Sequence, residues 1–183
     1  KTARNLGVEN YKIDGELKIT APKPAAVQPA ENKPIRIAGI EEGLAAVGLD
    51  KDWTAGKPIA PRKAYGAALV ALGRADPRIV ALDGDVKNST HAEWFAKQFS
   101  DRYLECKIAE QNMVSVAAGL GVAGKIPFAS TFAKFVERAY DQVEMAIITG
   151  ANVKITGSHA GVTLAADGPS QMSLPDVAFF RSF

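Results

Sequence analysis

Cys106 is the only cysteine in 183 residues. No internal disulfide can form, and a reducing compartment is implied. No apolar run reaches the ~20 residues that a membrane-spanning helix needs. A net charge of +2 is too small to argue for nucleic acid or an anionic membrane as partner. The chain has no GxxxxGK(S/T) phosphate loop, no GxGxxG dinucleotide turn and no GxSxG nucleophile elbow. "GLGVAG" at 119–124 falls at the end of a helical pattern, not after a strand. His91 and His159 lie far from each other and from Cys106, so no zinc-ligand spacing exists. The start, Lys-Thr-Ala-Arg, shows no initiator Met and no signal-peptide pattern. The last ten residues stop about two turns into an apolar helix. Both ends read as cuts in a longer protein.

What is present is globular in composition, with 47% hydrophobic and 23% charged residues. Two textures divide it. Residues 1–60 carry Pro22, Pro24, Pro29, Pro34 and Pro58 and read as an extended linker, with one short helix expected within 40–49. From Pro61 apolar runs alternate. "PRKAYGAALVALG" places Tyr65, Ala68, Leu69 and Leu72 on one helical face, with Pro61 near its start. "RIVALDGD" has the continuous apolar run of a buried parallel strand. Thr90 and Glu93 form the pattern of a capping box. Strands are expected within 102–109, 125–130 and 152–159, and helices over 111–124 and 131–149. This alternation predicts an α/β fold, a mostly parallel sheet flanked by helices.

In such sheets ligands bind beyond the carboxyl ends of the strands, and polar residues collect there. They are Asp83 and Asp85 with Lys87, Asn88 and Ser89; then Glu110, Gln111 and Asn112; then Ser130 and Thr131; then Ser158 and His159; then Asp167. Any one cluster alone would be a turn. Glu110 has two readings, a first-turn carboxylate favoured by the helix dipole or a proton-holding group in an apolar site. His91 reads as a solvated helix start. His159, at a strand mouth, reads as a site residue or a structural histidine. Phe132 and Phe135 have the spacing of core aromatics as well as of a ring-binding pair.

Four motifs in order, "LDGDVKNST", "IAEQNMVSVAAG", "STFAKFVERAYDQ" and "GSHAGVTLAADGPSQM", resemble the transketolase family in its animal-like branch. The likeness covers its pyrimidine-binding domain over residues 61–183, C-terminally incomplete. It implies thiamine diphosphate, a divalent metal (magnesium or calcium) held by a diphosphate domain outside this chain, and transfer of a two-carbon ketol unit from a ketose phosphate to an aldose phosphate. It implies a cytoplasmic enzyme of the pentose phosphate pathway, a homodimer or a pairing with a separate diphosphate-domain chain, and an inactive isolated fragment. Glu110 matches the glutamate bonded to the cofactor's aminopyrimidine, where a shared proton favours the imino tautomer. Phe135 matches the aromatic packed on that ring, with Phe132 beside it. Gln171 falls near the ring's amino group. His159 and Asp167 match substrate contacts, His159 also in a catalytic role. Arg62 and Ser89 match groups holding the sugar phosphate. Arg138 stands where other branches carry a third aromatic. A deoxyxylulose-phosphate synthase is an alternative, although that family usually carries His where Asn112 stands. A non-catalytic subunit retaining the fold is another.

Overall fold

The computed structural model describes residues 39–183 apart from Thr163. The greater part of the expected Pro-rich linker therefore lies outside the described residues. Two short helices come first, α1 (Ile40–Ala46) and α2 (Asp50–Thr54). Helix α3 (Pro61–Ala75) opens with Pro61 in its first turn, where a missing N–H costs nothing. Strand β1 (Ile79–Asp83) follows, then α4 (Lys87–Thr90), α5 (Glu93–Gln98) and β2 (Tyr103–Glu105). Next come α6 (Glu110–Val122), β3 (Ile126–Phe132), α7 (Ala133–Val136), α8 (Tyr140–Ile148), β4 (Lys154–Ser158) and α9 (Asp176–Phe180).

The four strands form one sheet in the order β2-β1-β3-β4, and every pairing is parallel. All five residues of β1 are buried. Alternate side chains leave a strand on opposite faces. Ile79 and Ala81 pack with Leu69, Val70 and Phe95 on one side. Val80 and Leu82 pack with Met113, Ala117 and Ala129 on the other. Helices thus cover both faces, which is why the strand reads as an unbroken apolar run.

Helix α3 buries more than the single face expected of it. Gly66, Ala67, Val70, Ala71 and Gly73 are buried together with Leu69, because other helices pack on its outer side. A side chain at Gly66 would meet His91 and Trp94, and one at Gly73 would meet Phe95 and Phe99. Helix α1 docks through Gly43, whose α-carbon faces the Ala67 carbonyl, and through Leu44, which is buried. This part of residues 1–60 is therefore packed against α3.

Four local expectations are corrected. The Thr90–Glu93 capping box does not form. The Thr90 hydroxyl instead donates to Asp83 Oδ2 at 2.7 Å, and α5 starts from Ala92 without a side-chain cap. Tertiary hydrogen bonding to a buried carboxylate outweighs a cap of about 1 kcal/mol. The strand within 102–109 is only three residues long, because the chain turns at Lys107, whose φ is 57°. Thr131 and Phe132 belong to β3, and the helix expected over 131–149 is interrupted by a 3-10 turn at Glu137–Ala139. His91 is not a solvated helix start. Its ring stacks on Trp94 at 4.4 Å, and both ring nitrogens are buried without a hydrogen-bond partner.

Candidate functional site

The carboxyl ends of the strands carry unusual backbone. Asp85, Lys107 and His159 follow β1, β2 and β4, and each has a φ between 56° and 65°. His91, which ends α4, has a φ of 60°. Left-handed backbone at non-glycine residues is uncommon and costs free energy, and it clusters where a chain must aim particular groups. Here it bends three loops away from the sheet at the edge where ligands bind in parallel α/β folds.

Asp83 ends β1 and is fully buried. Its Oδ1 accepts the Val86 amide, and its Oδ2 accepts the hydroxyls of Thr90 and Ser130, each at 2.7 Å. Burial lifts its carboxyl above the usual range, while those donors and the Val86 amide pull it down. Tyr65 lies beside this network. Its hydroxyl is buried without a hydrogen bond, and burial pushes it up to about 12. Nothing in the apolar spacing of α3 marks Tyr65 as anything but core, so its place in the cavity wall is not legible in the sequence.

Glu110 opens α6 and is 3% exposed. Its side chain does not fold back to cap the helix. Oε1 accepts a 2.7 Å hydrogen bond from Arg138 Nη1, and no hydrogen bond to Oε2 occurs among the described residues. A helix N-terminus supplies about 0.3–1 kcal/mol to a nearby carboxylate. Burying a carboxylate costs several kcal/mol. The dipole therefore cannot account for Glu110, and the arginine is needed.

The Arg138 guanidinium also lies 4.8 Å from the centroid of the Phe135 ring. Phe135 stacks on Phe132 at 5.1 Å with 19° between planes. Phe132 in turn meets the His159 ring at 4.4 Å. The pair is formed by the junction of β3 and α7, with Phe132 as the last strand residue, and not by helical periodicity. A continuous path thus runs from Glu110 through Arg138, Phe135 and Phe132 to His159.

His159 opens onto a cavity of about 680 Å³ that is also lined by Arg62, Tyr65, Thr90, Thr156 and Ser158. Its Nδ1 is 2.9 Å from Ser158 Oγ. Burial holds the imidazole below its usual value, Arg62 pushes the same way, and Asp167 opposes them. Arg62 reaches Ser89 through that residue's backbone carbonyl, at 3.4 Å. Asp167 ends the 3-10 turn Ala165–Asp167 and is exposed. The Gln171 backbone N–H donates to the Gly168 carbonyl. The loop carrying both is clipped by Ser173, whose buried hydroxyl donates to Glu137 Oε1 at 2.8 Å and whose carbonyl accepts the Gly161 N–H. Neither Ser173 nor Glu137 stands out in the sequence, because their pairing joins segments 36 residues apart.

The structure therefore brings Glu110, Phe132, Phe135 and His159 into one chain of contacts, and His159 and Arg62 into one cavity. Ser89 enters through its backbone. Asp167 is near enough to influence His159, and Gln171 sits on the same loop. No group of three or more His, Cys, Asp or Glu side chains that would hold a metal occurs among the described residues.

A parallel α/β domain with a carboxylate, an aromatic pair and a cavity lined by arginine and histidine at one sheet edge has the arrangement of a ligand-binding α/β domain. Residues 57–183 match the family model for the transketolase pyrimidine-binding domain. The chain belongs to that family. It is 50% identical to rat transketolase over 162 residues, which is 87% of this chain and 25% of that protein. It is 57% identical to human transketolase over 128 residues, covering 69% of this chain and 20% of that protein. Among solved structures it resembles a split-gene transketolase described as an inactive β4 tetramer, with 48% identity and a TM-score of 0.58 over 68% of this chain and 40% of that one. The chain thus spans a quarter or less of the length of these curated relatives.

Proposed function

We propose that this chain supplies the pyrimidine half of a thiamine diphosphate site in an enzyme that transfers two-carbon ketol units between sugar phosphates. One observation carries the reading. A buried carboxylate with one oxygen unengaged lies on the same contact path as a stacked aromatic pair, and that path leads to a cavity holding arginine and histidine. The donor set fits the cofactor's aminopyrimidine, since a flat heteroaromatic ring needs an acceptor at its edge and apolar surface on its faces. When bound, thiamine diphosphate supplies the electron sink for breaking and forming the carbon–carbon bond.

The remaining chemistry belongs to this chain. Glu110 Oε2, the oxygen left unengaged by Arg138, would hold or release a proton for the cofactor's ring. Phe132 and Phe135 orient the ring and keep water from it. Gln171 stands ready for the ring's amino group. Arg62, aided by the Ser89 segment, binds the phosphate of the sugar with its planar fork. His159 donates to or accepts from a sugar hydroxyl, with Ser158 fixing its ring. Asp167 accepts from a second hydroxyl and so favours polyhydroxylated substrates. The diphosphate and its magnesium or calcium ion fall to a domain outside this chain, either in a second copy or in a separate polypeptide as in a split-gene relative.

Glu110→Ala in the complete protein, supplied with a ketose phosphate donor and an aldose phosphate acceptor, is expected to cut ketol transfer at least 100-fold with the fold retained. Activity near wild type overturns the reading.

A further inference from the structure

Arg138 touches both parts of the ring-binding apparatus, and its position suits two opposed roles. It could stand in for the ring, as a flat cation bonded to Glu110 and lying against Phe135, to be displaced by the cofactor. Alternatively it could stay in place and fix Glu110. Three observations decide between them. Glu110 is 3% exposed, whereas the Arg138 side chain is 53% exposed. Withdrawal of the arginine would strand a buried carboxylate with no other hydrogen-bond donor among the described residues, which is the costly half of breaking such a pair. The guanidinium engages Oε1 only, so Oε2 remains for a ligand without any displacement.

We infer that Arg138 is a positioning residue. It locks Glu110 through Oε1, so that Oε2 is presented to the edge of the cofactor's ring, and its contact with Phe135 holds the lock in register with the stacking surface. The inference rests on the thiamine diphosphate reading above.

The test measures thiamine diphosphate binding by calorimetry to the complete protein, as wild type, R138A, R138K, E110Q and the E110Q/R138A double variant. Thermal melts accompany each to show that it folds. The expected results are a Kd raised about 10-fold or more in R138A, partial rescue in R138K, and no further rise from R138A once Glu110 is already Gln. A tighter Kd in R138A would show that the arginine competes with the ring and overturns the inference. So would an unchanged Kd in R138A, or a loss that adds fully to that of E110Q. If R138A does not fold, R138K and E110Q/R138K carry the comparison: an intermediate loss in R138K that vanishes on the E110Q background is expected, and a Kd tighter than wild type in R138K, or a loss that adds fully to that of E110Q, overturns the role. Wild-type protein that takes up no thiamine diphosphate overturns the parent reading, and this one with it. Wild-type binding combined with an indifferent R138A overturns the role of Arg138 alone.

Discussion

Asp83 ends β1 and Ser130 lies opposite it in the neighbouring parallel strand β3, two residues before that strand ends, and the serine hydroxyl donates to the aspartate Oδ2 at 2.7 Å. The two residues lie 47 positions apart in the chain. They tie the carboxyl ends of β1 and β3 together where connections leave in opposite directions, the switch point at which such sheets open. Thr90 joins the same oxygen and so draws the loop after β1 into the wall of the cavity.

Loss of this node is costly. Asp83→Ala leaves the Val86 amide and the Thr90 hydroxyl without their carboxylate acceptor, and leaves the Ser130 hydroxyl only the Leu82 carbonyl at 3.2 Å. A destabilisation of about 3 kcal/mol is expected, read as a lowered denaturation midpoint. The carboxyl's folded value is raised above 3.8, so its titration contributes stability that is fully present below 3.8 and lost as pH rises through the folded value. The gap between wild type and Asp83→Asn should therefore shrink from acid to neutral pH. A gap that widens would contradict the burial-driven shift.

The two imidazoles act in the opposite sense. Burial lowers both His91 and His159 below 6.5, so the unfolded chain binds more protons between the folded and free values. Their contribution is present above 6.5 and lost as pH falls through the folded values. Replacing His91 by Phe should flatten this acid-side loss. It should also raise stability near neutral pH by about 1 kcal/mol, because two buried, unpartnered nitrogens disappear while the stack on Trp94 persists. Parallel melts at about pH 5.5 and pH 7.5 would check both statements.

Helix α1 is expected to be integral to the folded unit. Gly43→Ala would drive a methyl group into the Ala67 carbonyl and carbonyl carbon, backbone atoms that cannot step aside. A loss of about 1–3 kcal/mol follows, with hydrogen exchange faster in both α1 and α3. Unchanged exchange in α3 would show that α1 is only draped over it.

Arg62 lines the cavity beside His159 and is the cation there best shaped for a phosphate. Arg62→Ala should raise KM for phosphorylated sugars by roughly 10- to 100-fold with kcat little changed, the pattern of lost uniform binding. Non-phosphorylated sugars should show no comparable change. Equal effects on both classes would remove the phosphate role.

Much of the fold is legible in the sequence because local patterns and the tertiary arrangement agree. The apolar run Ile79–Asp83, the alternation of segments and Pro61 at a helix start each announce their element. Where they disagree, a long-range partner wins. Thr90 leaves its capping pattern for Asp83, and the helix expected from Thr131 starts two residues later because β3 pairs with β4 as far as Phe132 and Ser158.

The candidate site divides the same way. The sequence by itself determined which chemical groups stand at strand ends, because polar residues after apolar runs fall there whenever a parallel sheet forms, and its four motifs determined the family. It could not say what Glu110 touches. A carboxylate at a helix start is explained locally by the dipole, and only the packed structure shows that it is buried beyond what the dipole can support, with Arg138 as partner 28 residues away. Tyr65, Ser173 and Glu137 owe their places to the same cause. Hydrogen bonds and burial between distant segments depend on how the elements pack, and no local pattern in the chain records them.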